Sequence, residues 1–261
     1  MKSLKETDTL TVYWAPAVVF DGDFNKPPAD AWFTEHGPFL YPDPRPLQSD
    51  LMLEKNPERG PLTYLSCPAA TSVFKSTAVF YNSLECAYEY DLTSPDSLHF
   101  TASTPRFINY RVPRPPALLN KPTVQLQLQW IFFCEESLEM SITPPMFHKP
   151  MYLKYATTVP GTYDIGSWFR PVIFEIQLWE SKGVLKFEQD EPLLYATFNT
   201  KRKVKLQRFS LNKVLQGYSI DSVSHTLGRG MSLEDRYNLF NNTSMREMII
   251  KEIKSNTIET V

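Results

Sequence analysis

The chain has 261 residues, of which 42% are hydrophobic and 21% charged, and its formal net charge is −2. That length and balance suit one large globular domain and exclude a chain disordered throughout. They also exclude a global field that would draw it to nucleic acid or to an anionic membrane. No apolar stretch has spanning length, and the run Met1-Lys2-Ser3-Leu4-Lys5-Glu6-Thr7-Asp8 lacks the apolar core of a signal peptide. The cysteines, Cys67, Cys86 and Cys134, are odd in number and form no CxxC pair, so a reducing compartment is expected rather than a disulfide framework. Proline outnumbers glycine, 22 to 9, and 13% of residues are aromatic. Proline blocks ladders and helix interiors, and aromatics favour pleated, half-buried surfaces. The composition therefore predicts a mainly β chain with long ordered loops.

Thr9 to Trp14 reads as a first strand with Leu10, Val12 and Trp14 on one face. Asn25 to Leu62 carries eight prolines among Trp32, Phe33, Phe39 and Tyr41, and reads as an ordered arm lying over the core or over a partner. Short strands are predicted at Thr63–Ser66, Ala78–Asn82, Ala87–Asp91 and Arg106–Val112. Next comes the clearest alternation, Val124, Leu126 and Leu128 against Gln125, Gln127 and Gln129, continuing into Trp130-Ile131-Phe132-Phe133-Cys134, which is apolar on both sides. Leu138, Met140 and Ile142 alternate again after Glu135-Glu136-Ser137, which predicts an antiparallel hairpin. Val172, Phe174, Ile176 and Leu178 share a face, and Val184–Phe187, Leu193–Asn199 and Lys203–Phe209 follow after short turns, which predicts a meander. Helix is expected from Leu233 to Phe240. A second is expected after a capping box at Ser244-Met245-Arg246-Glu247, with an apolar stripe of Met245, Ile249 and Ile253.

Tyr64-Leu65-Ser66-Cys67-Pro68-Ala69, the run from Lys75 to Phe80, Gly166-Ser167-Trp168-Phe169-Arg170-Pro171 and Glu191-Pro192-Leu193 resemble an uncharacterised family of proteins encoded by tailed bacteriophages. The likeness is strongest to contractile-tailed phages of marine cyanobacteria and spans roughly Thr63 to Phe209. The resemblance implies a source and no reaction, and it transfers no catalytic residue.

No sequence motif points to catalysis. The histidines, His36, His99, His148 and His225, form no HxD or HxE pair, and Glu35 beside His36 is the weak candidate for a metal site. There is no GxSxG and no phosphate loop. Cys67 precedes Pro68 and reads as a buried structural thiol. Glu135-Glu136 and Asp190-Glu191 read as solvated turn charge. Two stretches are candidate contacts. One is Lys201, Arg202, Lys203 and Lys205, a basic stripe on a hairpin suited to phosphate or an acidic partner; the plain alternative is partial neutralisation by Glu188, Asp190 and Glu191, as solvated charge or edge protection. The other is Trp168, Phe169 and Arg170, whose composition is that of an interface anchor, with a plug at the end of the core as the plain alternative.

The whole predicts an antiparallel β-sandwich or jelly-roll-like core at 63–211. A strand and Pro-rich arm occupy 1–62, and a short helical appendage occupies 212–261. The expected function is that of a phage-encoded, non-enzymatic structural or protein-interaction protein without cofactor. It would be built into the virion or active in the host cytoplasm, with protein partners or a homo-oligomer and neither membrane insertion nor nucleic acid. The alternatives are a cupin-like, double-stranded β-helix oxygenase and a small-molecule-binding β domain.

Overall fold

The computed structural model describes residues 9–17, 41–53, 67–82, 85–91, 93, 99–102, 110–111, 123–167, 169–223, 232–242 and 244–258. Its strands are β1 (Thr9–Pro16), β2 (Arg45–Pro46), β3 (Thr77–Tyr81), β4 (Cys86–Asp91), β5 (His99–Ala102), β6 (Tyr110–Arg111) and β7 (Thr123–Cys134). They continue with β8 (Glu139–Thr143), β9 (Ala156–Thr158), β10 (Gly161–Asp164), β11 (Pro171–Leu178), β12 (Lys182–Phe187), β13 (Pro192–Phe198) and β14 (Lys203–Arg208). The helices are α1 (Leu47–Leu53), α2 (Pro68–Lys75), α3 (Lys213–Val223), α4 (Leu233–Asn242) and α5 (Met245–Ser255). The chain is mainly β. The first sheet runs β14-β1-β7-β11-β9 with β6 beside β7, the second β10-β8-β13-β3-β2, and the third β12-β4-β5. Pairing is antiparallel except between β1 and β14, which run parallel.

The alternation along β7 and β11 sets the register. Val124, Leu126 and Leu128 are buried, as are Val172, Phe174, Ile176 and Leu178, and Phe174 lies opposite Leu126. Beyond Leu128 both faces of β7 are covered. Trp130 and Phe132 join the main core cluster with Trp14 and Phe80, while Ile131 and Phe133 join a second cluster on the other face. The second cluster includes Phe209, Leu215, Phe240, Ile249 and Ile253, so α3, α4 and α5 cover that face of the first sheet. A third cluster, Leu47, Leu51 and Phe74 against Val79, Tyr81 and Tyr195, packs α1 and α2 on the second sheet. Tyr41, from the middle of the Pro-rich arm, is in the main core with its ring 5.7 Å from that of Trp130. Thr63–Ser66 and most of 25–62 lie outside the described residues.

Two predicted local pairings are not made. β7 and β8, read as a hairpin, stand in different sheets, and β11, β12, β13 and β14, read as a meander, fall in the first, third, second and first sheets in turn. The cause is visible at Glu135-Glu136-Ser137, which turns a corner and does not fold back. The Asp164 carboxylate accepts the N–H groups of Leu138 (3.2 Å) and Gly166 (2.9 Å) and the Ser137 hydroxyl (2.8 Å). Gly166 sits so close to this corner that a Cβ there would stand 2.1 Å from the Glu136 carbonyl oxygen, which only glycine avoids. The corner is thus fixed by residues distant in sequence.

The predicted capping box at Ser244 is also absent. Ser244 has φ −69° and ψ 0° and makes no side-chain cap, because a capping side chain reaches back only from extended dihedrals. The box forms instead at α4. The Ser232 hydroxyl accepts the Asp235 N–H (3.1 Å), and the Asp235 carboxylate accepts the Ser232 N–H (3.0 Å).

Candidate functional site: a basic sheet edge and a buried Asp–His network

Of the aromatic contact stretch, Trp168 lies outside the described residues, as do the metal candidates His36 and Glu35. Phe169 is 2% exposed and meets the ring of Phe133 edge-on at 5.7 Å. It is a core plug and not an exposed anchor, since its ring fills the space between the first sheet and the helices. Arg170 beside it is half-buried.

The basic stretch stays at the surface. β14 is the end strand of the first sheet, bonded to β1 on one side. Lys201, Lys203 and Lys205 are exposed, and Arg202 is half-buried and paired with Glu136. Val204 and Leu206 pack from the other face against the main core. The expected neutralisation by Glu191 does not occur. Glu191 is 7% exposed, and its carboxylate accepts the backbone N–H groups of Met151 and of Glu188 (3.0 Å). Burial raises its pKa, and the Glu188 amide opposes the rise. Glu191 is therefore a buried hub and not solvated turn charge.

β14 is not bare along its whole outer edge. The Ile258 N–H donates to the Arg208 carbonyl (2.9 Å), and the Ser210 N–H donates to the Asn256 carbonyl (2.8 Å). Phe209 and Thr257 form an antiparallel bridge, and the Gln207 side-chain amide donates to the Ile258 carbonyl (2.6 Å). The Phe209 N–H instead donates inward to Trp14 (3.0 Å). Backbone groups alternate along a strand, so even-numbered residues face outward. That parity aims the N–H and C=O groups of Val204 and Leu206 at the side of β14 away from β1.

Sequence reasoning missed a second constellation. His148, in the loop after β8, has Nδ1 2.5 Å from the Tyr195 hydroxyl and Nε2 2.7 Å from Asp50 Oδ2. The same Asp50 oxygen accepts the Tyr81 hydroxyl, and the Phe147 N–H donates to Tyr195 (3.2 Å). Arg45 Nη1 is 3.9 Å from Asp50 Oδ1, and the Arg45 guanidinium lies over the Tyr81 ring at 4.8 Å. Burial, then the hydrogen bond to Asp50, pushes the Tyr81 hydroxyl well above the usual phenol range. The order carboxylate, imidazole, hydroxyl is that of a proton relay. Tyr195, however, is 2% exposed and already takes a backbone N–H, so the arrangement fastens the 144–150 loop and α1 to the second sheet. No signal in one sequence links Asp50, Tyr81, His148 and Tyr195. A lone histidine after Pro144-Pro145 is the only trace.

Cys67 also departs from expectation. It is exposed at the N-terminal cap of α2, whereas Cys86 and Cys134 are buried. The amides of Ala70 and Ala69 lower its pKa. Pro68 at the first helical turn explains the exposure, because the extended residue before it points away from the helix. Among the described residues no group of three His, Cys, Asp or Glu side chains is placed to share a metal. No described helix is long and apolar enough to cross a membrane. Compared with protein-family models, curated proteins and solved structures, the chain matches none.

Proposed function

We propose that this chain is a non-enzymatic structural or protein-interaction protein of a tailed phage, acting in the virion or in the infected cell. Its core is read as a sandwich of jelly-roll type. Trp14 and Phe132 of the first sheet meet Phe80 of the second edge-on, at 5.9 and 5.4 Å, as rings between stacked sheets do. The observation that carries the functional reading is the outer edge of β14. The chain pairs the end of that edge with its own residues 256–258, and the side chains of Lys203 and Lys205 are exposed beside it. An end strand that carries exposed lysines supports the reading of a protein contact.

Quantitative mass spectrometry of purified virions, with cross-linking in infected cells, tests the reading. The expected result is a fixed stoichiometry with a virion or infected-cell protein, lost when Lys203→Glu and Lys205→Glu are combined. A purified chain that carries stoichiometric iron or zinc and turns over a small molecule overturns it in favour of the oxygenase alternative.

A further inference from the structure

We propose that residues 144–150 form a strained latch, in which the His148 anchor holds Lys149 in a left-handed backbone conformation and the loop opens as a unit when that anchor is cut. The device is independent of the interaction reading. Among the described residues, the non-glycine positions with positive φ are Lys149, at 49°, and Asp190, at 58°. An aspartate visits that region with some ease, through its short polar side chain. A lysine does not, because its Cβ crowds the following carbonyl oxygen. Pro150 comes next, and a residue before proline favours extended backbone. Both local preferences of Lys149 therefore oppose the conformation it holds, and its side chain is exposed, so no packing of its own accounts for it.

The cause lies in what flanks it. Pro144, Pro145 and Pro150 have φ fixed by their rings. The Met146 N–H donates to the Pro144 carbonyl (2.9 Å) and the His148 N–H to the Pro145 carbonyl (3.1 Å), which sets the bend before Lys149. On that side the His148 side chain, 6% exposed, is drawn in between Asp50 of α1 and the Tyr195 hydroxyl of β13. On the other side Pro150 is buried, and the Met151 N–H donates to the buried Glu191 carboxylate. Lys149 takes up the bend that remains between these two anchors. Such strain persists only where the surroundings over-determine it, and it gives the loop a second, relaxed state. Cutting the His148 anchor lets Lys149 return to extended backbone. Phe147 then leaves Tyr195, on which it is stacked at 6.2 Å, and Phe74 of α2, which it meets edge-on at 5.2 Å. β13 is paired with β3 on one side and β8 on the other and stays in place, so the opening is confined to the cover of the second sheet.

Native-state hydrogen exchange of the full chain tests the latch. The Phe147, His148 and Met151 amides, bonded to Tyr195, Pro145 and Glu191, are read against those of β13. The loop amides should share one opening and exchange about tenfold or more faster than β13. Lys149→Gly and Lys149→Ala both remove the ammonium, and only glycine removes the Cβ. Glycine should slow the loop opening about threefold relative to alanine. In a His148→Ala background the loop amides should exchange about tenfold faster than in the unchanged chain, and the advantage of glycine over alanine should vanish. Melting temperature checks that His148→Ala is folded; if it is not, the comparison of glycine with alanine in the unchanged chain decides. Equal exchange of those two variants overturns the stored strain. A glycine advantage that persists without His148 shows a strain local to Pro150 and overturns the role of the anchor. Loop amides that exchange only together with β13 have no opening of their own, which overturns the latch.

Discussion

The outer faces of the two larger sheets are closed in different ways. On the first sheet, Ile131, Phe133 and Phe169 meet Phe240, Ile249 and Ile253 from the helices, an almost wholly apolar contact. On the second, Leu47, Leu51 and Phe74 provide the apolar part, but Asp50 and His148 run through the middle and hold Tyr81 and Tyr195. Apolar cover is graded, because each side chain contributes its own buried area. A buried polar network is cooperative, because removing one member strands the others without partners. The two covers should therefore fail differently.

The largest expected effect belongs to the apolar side. Phe133 is fully buried and touches the rings of Phe169 and Phe240, so Phe133→Ala should cost about 3–5 kcal/mol in denaturant unfolding. Asp50→Ala should cost somewhat less, about 2–3 kcal/mol, by orphaning the Tyr81 hydroxyl and removing the carboxylate beside His148. The sharper contrast lies in the double variants. Asp50→Ala with His148→Ala should fall short of the summed single costs by about 1 kcal/mol or more, because the two residues share one network. Phe133→Ala with Leu47→Ala, in separate clusters, should add within about 0.5 kcal/mol. Additivity in the Asp50–His148 pair would remove the distinction between the two covers.

A smaller effect is expected at the corner between β7 and β8. Burial pushes the Asp164 carboxyl up. The Ser137 hydroxyl and the Gly166 and Leu138 amides outweigh this and hold it below the usual range. A group depressed in this way adds stability above its unfolded pKa and loses it as pH falls through the folded one. Asp164→Ala should thus cost about 1–2 kcal/mol at neutral pH and progressively less as the solution is acidified below the ordinary aspartate pKa. A cost that stays constant with pH would mean that the carboxylate charge is not what fixes the corner. The smallest effect on stability is expected at Cys67→Ser, within about 0.5 kcal/mol. Its readout is reactivity. Cys67 should react with a disulfide reagent in the folded chain, while Cys86 and Cys134, buried and pushed up to about 11, should react only on unfolding.

How much was legible differs from element to element. The Val–Gln alternation of β7, the apolar face of β11 and the Ile249–Ile253 stripe of α5 all stand where periodicity places them. The short helices were not read. α1 has 7 residues, α2 hides behind a Cys-Pro pair, and α3 starts from Asn212, whose side chain accepts the Leu215 N–H (3.0 Å). Segments this short owe their helicity to tertiary packing more than to local signals. Lys203 and Lys205 were legible as a stripe, but the part-paired edge beside them depends on residues 256–258 arriving from beyond three helices.

By itself the sequence determined which side chains share a face along strands such as β7 and β11, because a period of two assigns faces without reference to any neighbour. Only the tertiary structure decided which strands are neighbours. Every strand offers the same N–H and C=O groups along its edges, so hydrogen bonding alone does not distinguish a hairpin from a corner. The Asp164–Gly166 contact fixes the corner that sets β7 and β8 in different sheets, and β12, β13 and β14 each stand in a different sheet around one core. The Asp50–His148 network follows the same logic, since its members meet only after the second sheet and α1 have been brought together.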